Sequence, residues 1–339
     1  MVKPRHFVVI GNGPAGNQAA LTLKEKIPSA QVTLISADRD SCYRPNMLPD
    51  YIAGIVELEK VWIAPCSAYR PRGIDLRRGQ RVVFIDPQEK MLVLDHREEV
   101  RFDGLVIATG GTPSIPEWFL LYRNLVYTLK TLQDAERWRE RLKTAQSVLM
   151  VGGDLTSLSM TKALLHLGKK VYFILNEESF WPLRFNEELG NQVAEKLAGW
   201  GVTVLPGREI DGLEERANDT ILARIDTHTV EIDLIGAFFG LIPNVRFLIG
   251  SGFTIDRGIL VDEYLNTGFE GIYAAGDCAQ VYHPKIKNYW VSIGHDNARE
   301  LGRIAACNLA GETIKAAAET QSIYEVGGVR INTSWWTDL

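Results

Sequence analysis

Three glycines near the start of the chain have the spacing that binds phosphate. Gly11, Gly13 and Gly16 follow the apolar run Phe7-Val8-Val9-Ile10 directly, with Pro14 and Ala15 inside the turn and a helix-like stretch, Asn17 to Lys26, beyond it. Strand, glycine turn and helix in this order form the dinucleotide fingerprint in its required setting. The first glycine makes the tight turn, and the second removes a Cβ so that backbone can approach a pyrophosphate. The third lets helix and strand pack closely. The free N–H groups at the start of the helix then face the phosphates.

An acidic residue about twenty positions beyond such glycines binds a ribose diol. Here the strand Gln31 to Ile35 is followed by Ser36-Ala37-Asp38, so the contact falls on Asp38 or on Ser36. Phe102 to Ile107 reads as a further apolar strand, and it ends in Ala108-Thr109-Gly110, small enough to bring backbone close to a cofactor. Between them, Cys42-Tyr43-Arg44-Pro45 opens a loop in which proline fixes the backbone and Arg44 is either a fixed binding charge or a solvated one.

The opening pattern returns about 140 residues later. Ser147 to Val151 repeats the strand, Gly152 the first glycine, Ser159 to Leu167 the helix and Val171 to Leu175 the second strand. Two such units imply two nucleotides, one of them redox-active. The second copy departs where phosphate should sit: after Gly152-Gly153, Asp154 falls on the position of Gly13 and Ser157 on that of Gly16. A carboxylate there adds bulk and a like charge, costing on the order of several kcal/mol in a low-dielectric cleft unless a cation such as Lys169 or Arg184 intervenes. Asn176-Glu177-Glu178 is placed to take a ribose diol and favours NADH over NADPH. The alternative is a nucleotide fold kept as scaffold.

Several elements must hold these residues. Val82 to Ile85 and Met91 to Leu94 read as a hairpin, and Thr131 to Lys143 as a helix with Leu132, Ala135, Trp138 and Leu142 on its apolar face. Asn186 to Trp200 reads as another helix. The strand from Asp233 to Phe239 ends in Gly240 and a Pro243-Asn244 turn, echoing the strand that ends in Gly110. The irregular chain from Pro113 to Asn124 reads as a crossing between domains. Gly271 to Ala275 is a strand ending in Gly276-Asp277, and a helix from Asn297 to Leu309 follows, with Asp296 as its N-cap.

The chain has 339 residues, 46% hydrophobic and 23% charged, which fits a globular protein of two or three domains. A net charge of -5 gives no reason to expect nucleic acid or an anionic membrane as partner. No apolar run reaches the length of a membrane span, and Met1 to Arg5 leads straight into the first strand without a signal peptide. Cys42, Cys66, Cys278 and Cys307 form no closely spaced pair, which fits free thiols in a reducing cytoplasm and identifies no metal ligand set.

With the Gly11–Gly16 fingerprint, Ala108-Thr109-Gly110 and Gly276-Asp277 in this order, the chain resembles the two-dinucleotide-binding-domain flavoproteins of the pyridine nucleotide-disulfide oxidoreductase group. Tyr43-Arg44-Pro45, Leu48-Pro49 and Tyr51-Ile52-Ala53-Gly54 look most like NADH:rubredoxin and ferredoxin reductases and the flavin part of nitrite reductase. The resemblance implies an α/β fold of two Rossmann-like domains, each with three-layer ββα architecture, the second inserted in the first. Residues 1–115 and 245–312 would bind FAD, 116–244 would form the NAD(H)-binding-like domain, and 313–339 a short tail. Asp277 would hold the FAD ribityl chain, Gly11, Gly13, Gly16 and Asp38 the ADP half, and Thr109-Gly110 would lie against the cofactor. Arg44 and Pro45 would face the flavin side, and the helix near Asn297 would aim its positive end at the flavin pyrimidine.

The function so implied is an FAD-dependent oxidoreductase passing electrons from NADH through flavin to a small iron–sulfur or rubredoxin-type protein. A second reading is a flavin subunit of a larger redox complex whose second domain no longer binds NADH, which Asp154 and the terminal Trp335-Trp336 favour. A third is an NADH oxidase or peroxidase using Cys42, which lies near the place of the active cysteine in those relatives.

Overall fold

The structure, a computed structural model, describes residues 5–175, 187–206, 210–216, 220–226, 228–284, 287–291, 294–316, 323–326 and 329–332. In chain order the elements that position the site are β1 (His6–Ile10), α1 (Pro14–Lys26), β2 (Gln31–Ser36), β3 (Ile74–Arg78), β4 (Gly104–Ile107), β5 (Val126–Tyr127) and α2 (Leu132–Leu142). They continue with β6 (Ser147–Gly152), α3 (Leu155–His166), β7 (Lys170–Leu175), β8 (Thr203–Pro206), β9 (Leu234–Phe238), β10 (Ile272–Ala274) and α4 (His295–Leu309).

Two parallel five-stranded sheets result, ordered β10-β4-β1-β2-β3 and β5-β9-β6-β7-β8. Their centres match: β1 lies between β2 and β4, and β6 lies between β7 and β9. After a polar first residue, His6 or Ser147, each central strand is apolar because both of its faces are covered. In the second unit the two faces separate cleanly. Val148 and Met150 pack with Trp138, Leu158 and Leu164 on the helical side. Leu149 and Val151 pack with Ile221, Ala223, Ile225 and Ile232 of an antiparallel three-stranded layer. That split is the two-residue alternation of a strand read twice. The first unit has the same layering, with Val82, Ile85, Leu92, Leu94 and Val100 of its own antiparallel layer joining the core of β1 and β4. Two Rossmann-like ββα units are therefore present, as the motifs imply.

The fifth strand of the first sheet, β10, comes from sequence beyond the second unit, and α4 then packs against α1. The two helices touch backbone to backbone, since a Cβ on Gly302 would lie 2.1 Å from the Ala15 carbonyl oxygen. The two crossings between the units are joined: Gly111–Pro113 pairs antiparallel with Leu241–Pro243. Asn244 fastens this pair, donating from Nδ2 to the Thr109 carbonyl at 3.0 Å and accepting at Oδ1 from the Thr112 hydroxyl at 2.7 Å. A short helix, Leu48–Ile52, buries Leu48, Tyr51 and Ile52 in the same core as Trp138 and Leu158.

Three helix starts differ from the sequence reading, each for a local reason. α1 opens at Pro14, whose missing N–H costs nothing at a first helical position. α3 opens at Leu155 because Asp154 and Ser157 form a reciprocal capping box. α4 is capped by Gly294, at φ +92°, and makes no side-chain cap hydrogen bond; Asp296 therefore lies in the first turn and is not the N-cap. Among the described residues, no helix is long and apolar enough to cross a membrane.

Candidate functional site

The three glycines of the first fingerprint have three separate physical roles. Gly11 turns the chain at φ +104°, and a Cβ there would lie 2.1 Å from the Ala108 carbonyl oxygen. Gly16 brings α1 onto the turn, since its Cβ would meet the Gly11 carbonyl oxygen at 1.8 Å. Gly13, by contrast, has no atom of the described residues within 4 Å of its Cβ position apart from its chain neighbours, and it is exposed at the N-cap of α1 with no side-chain cap hydrogen bond. Two glycines are thus required by the fold, and the third is left open toward solvent where anions are favoured.

The other expected residues gather at this edge. Ala108, Thr109 and Gly110 leave the end of β4, with Gly110 at φ +64° and open space at its Cβ position. Gly276, at φ +76°, lies against Ala15 and Ala298, so that the Gly276-Asp277 turn meets the starts of both α1 and α4. Asn297 is buried in the first turn of α4. Ser36 is buried at the end of β2, and Asp38 beyond it accepts from the Asp40 amide at 3.1 Å. Burial, with the Asp38 charge second, raises the Asp40 carboxyl above its ordinary value. Pro45 begins a single 3-10 turn, and the Arg44 guanidinium donates to the carbonyls of Lys60 and Trp62 at 3.0 and 2.8 Å, tying its own loop together.

Two residues at this site carry no motif. Lys130, between β5 and α2, places Nζ 2.8 Å from Asp277 Oδ2 and so brings a cation from the second unit to the Gly-Asp turn of the first. Tyr69 donates its hydroxyl to Asn12 Oδ1 at 3.2 Å and accepts from Asn17, holding the fingerprint loop from behind. Asn12 Nδ2 is buried at the fingerprint itself without a partner among the described residues. An orphaned donor costs about 1–3 kcal/mol unless something accepts from it. The open Gly13 step, the uncapped amides and this donor fit an FAD pyrophosphate.

The second unit answers differently. Gly152 turns at φ +82° against the Phe238 carbonyl oxygen, as Gly11 does against that of Ala108. Gly240, at φ +75°, follows β9 as Gly110 follows β4. Gly153 donates its amide to Phe238. At the next step Asp154 Oδ1 accepts from the Ser157 amide at 2.8 Å, while Ser157 Oγ accepts from the Asp154 amide at 3.2 Å. The chain's own carboxylate thus occupies the helix amides that α1 leaves free. Burial pushes the Asp154 carboxyl up to about 6, although hydrogen bonds from the Ser157, Thr156 and Gly240 amides and the Lys130 charge pull it down. Asn176, Glu177, Arg184 and Trp335-Trp336 lie outside the described residues.

Cys42 is 1% exposed, and burial pushes its thiol up to about 12, against the pull of Arg44 and Arg299. A thiol in that state is a poor nucleophile at neutral pH. Among the described residues no group of His, Cys, Asp and Glu could hold a metal ion.

A protein with two such glycine turns on two matching parallel sheets, one open to phosphate, is a two-dinucleotide-unit oxidoreductase fold. The pattern of the pyridine nucleotide-disulphide oxidoreductase family matches residues 5–295, and the chain belongs to that family. It is similar to the nitric oxide reductase FlRd-NAD(+) reductase of Citrobacter koseri, 30% identical over 279 residues, 82% of this chain and 73% of that protein. The protein of the same description from Escherichia coli O127:H6 is 30% identical over 277 residues, 81% of this chain and 72% of its own. Among solved structures, a NAD-dependent persulfide reductase from A. fulgidus superposes with a TM-score of 0.87 at 26% identity, covering 95% of this chain and 62% of that one. Putidaredoxin reductase, in its covalent complex with putidaredoxin, shares the fold at a TM-score of 0.86 and 23% identity, covering 95% of this chain and 78% of that one.

Proposed function

We propose that the chain is an FAD-dependent oxidoreductase that passes electrons from NADH to a small iron–sulfur or rubredoxin-type protein. The observation that carries this reading is the open Gly13 step at the uncapped start of α1, beside the Gly276-Asp277 turn. Residues 1–115 and 245–312 form the FAD unit and 116–244 the inserted unit for the pyridine nucleotide. The α1 amides and Asn12 hold the FAD pyrophosphate, Asp38 or Ser36 the adenosine ribose, and Asp277 the ribityl chain. The start of α4 stabilises negative charge on the flavin ring. Bound FAD supplies the redox chemistry, taking two electrons as a hydride and giving them up singly. The relatives described as FlRd-NAD(+) reductases support both the donor and the class of acceptor.

The test is an anaerobic mixture of the FAD-loaded protein with NADH, followed by addition of oxidised rubredoxin. Bleaching of the flavin band by NADH, then its return as rubredoxin is reduced, is the expected result. One observation favours a second reading, a flavin subunit that exchanges electrons only with proteins: the Asp154 carboxylate on the α3 amides. Reduction of the flavin by dithionite and not by NADH would select that reading.

A further inference from the structure

In both glycine turns the first glycine takes a positive φ against the carbonyl at the end of the neighbouring strand, so the differences at the helix starts have physical meaning. At α1 no side chain caps the first amides, and the second-glycine position has no side chain and open space where one would stand. At α3 the same position carries a carboxylate that accepts from the Ser157 amide at 2.8 Å. A dinucleotide pyrophosphate approaching this turn meets amides already engaged and a negative charge beside them. Two anions at such a site repel strongly where solvent is partly excluded.

We propose that Asp154 sets the affinity of the second unit for pyridine nucleotide, and that the nucleotide binds together with one proton, which neutralises this carboxylate. The proposal rests on the reductase reading given above.

The groups around the carboxylate decide how that proton is held. On α3 they are the Ser157 and Thr156 amides, and beyond β9 the Gly240 amide. From the β5–α2 connection comes the Lys130 charge, itself paired to Asp277 Oδ2 at 2.8 Å. Each favours the ionised form in the free protein, while burial opposes it and leaves the carboxyl at about 6. An incoming pyrophosphate competes for the same amides and adds negative charge, so it favours the protonated form. A protonated Asp154 can still cap the helix as an acceptor. By linkage, a ligand that prefers the protonated site binds with an affinity that falls as pH rises above the free-site value.

The test uses the FAD-loaded full chain and tetrahydro-NADH, a hydride-inert analogue whose pyrophosphate does not titrate between pH 5.5 and 8.5. Its Kd is measured across that range by isothermal titration in two buffers of different ionisation enthalpy, for the wild type, Asp154→Asn and Asp154→Ser. Both replacements retain an N-cap acceptor. In the wild type the affinity should fall about tenfold per pH unit above pH 6, with close to one proton taken up per analogue at pH 8. In both variants it should be flat with pH, without proton uptake, and at pH 8 at least tenfold tighter than in the wild type. A pH-independent wild-type Kd matched by both variants overturns the proposal and leaves the reductase reading intact. No binding by any of the three proteins at any pH overturns the proposal together with NADH as donor.

Discussion

Lys130 Nζ lies 2.8 Å from Asp277 Oδ2, which joins the second unit to the Gly-Asp turn of the first across 147 positions of sequence. Both side chains are about one-quarter exposed, at 27% and 25%, so solvent screens the pair only in part. Lys130→Met should lower stability by about 1 kcal/mol, and Lys130→Arg should restore most of it. Chemical denaturation of the three proteins checks this; equal midpoints would remove the ion pair as a link between the units.

Cys42 should be silent in catalysis. Its thiol, held at about 12 by burial, is almost entirely protonated at pH 8, so alkylation of the folded protein at that pH should spare it and mark the more accessible Cys66 first. Cys42→Ser should keep electron transfer within about twofold of wild type. Loss of turnover in that variant, or early labelling of Cys42 found by peptide mass analysis, would revive a thiol-based peroxidase or oxidase reading.

Asp154 also makes stability depend on pH. Its carboxyl is raised from 3.8 to about 6 in the folded protein, so the folded state holds the proton more tightly than the unfolded chain between these values. Stability therefore falls as pH rises through this window, and above it the full penalty is present. Asp154→Asn keeps the cap and removes the charge. It should stabilise the protein at pH 7.5 by about 1–3 kcal/mol and make no difference near pH 4. Melting curves of both proteins at the two pH values decide the matter, and a gain that is the same at both would contradict it.

Asn244 fastens the two crossings through its hydrogen bonds to Thr109 and Thr112. Since the residue is exposed, Asn244→Ala should cost only about 1 kcal/mol in urea denaturation. A loss well above that value would mean that the crossings carry more of the stability than these hydrogen bonds supply.

Much of the fold was legible because it rests on local pattern. Phe7 to Ile10 and Val148 to Val151 are apolar without a break, each ends in a glycine that must take positive φ, and both became central strands. The apolar face of Leu132, Ala135, Trp138 and Leu142 is buried as its spacing implies. Residues acting across long separations were not legible. Lys130 and Tyr69 sit in no motif, and only the packed structure brings them to Asp277 and Asn12. The start of α3 is not legible from the repeat, which registers only the two lost glycines, whereas Asp154 and Ser157 together form a cap. Asp296 failed as an N-cap because Gly294 turns the chain two residues earlier.

FAD binding at α1 is decided by titrating the cofactor into apo-protein, wild type beside Gly13→Ala. The methyl group of that variant meets no atom beyond its chain neighbours, so its circular dichroism should match the wild type and its melting temperature should fall only slightly, as expected for alanine at an N-cap. The wild type should take up one FAD per chain and turn yellow, while Gly13→Ala, with its Cβ in the space of the pyrophosphate, should bind at least tenfold more weakly. A folded wild-type protein that remains colourless with FAD, or a variant that binds FAD as the wild type does, would contradict the placement of the cofactor over this helix.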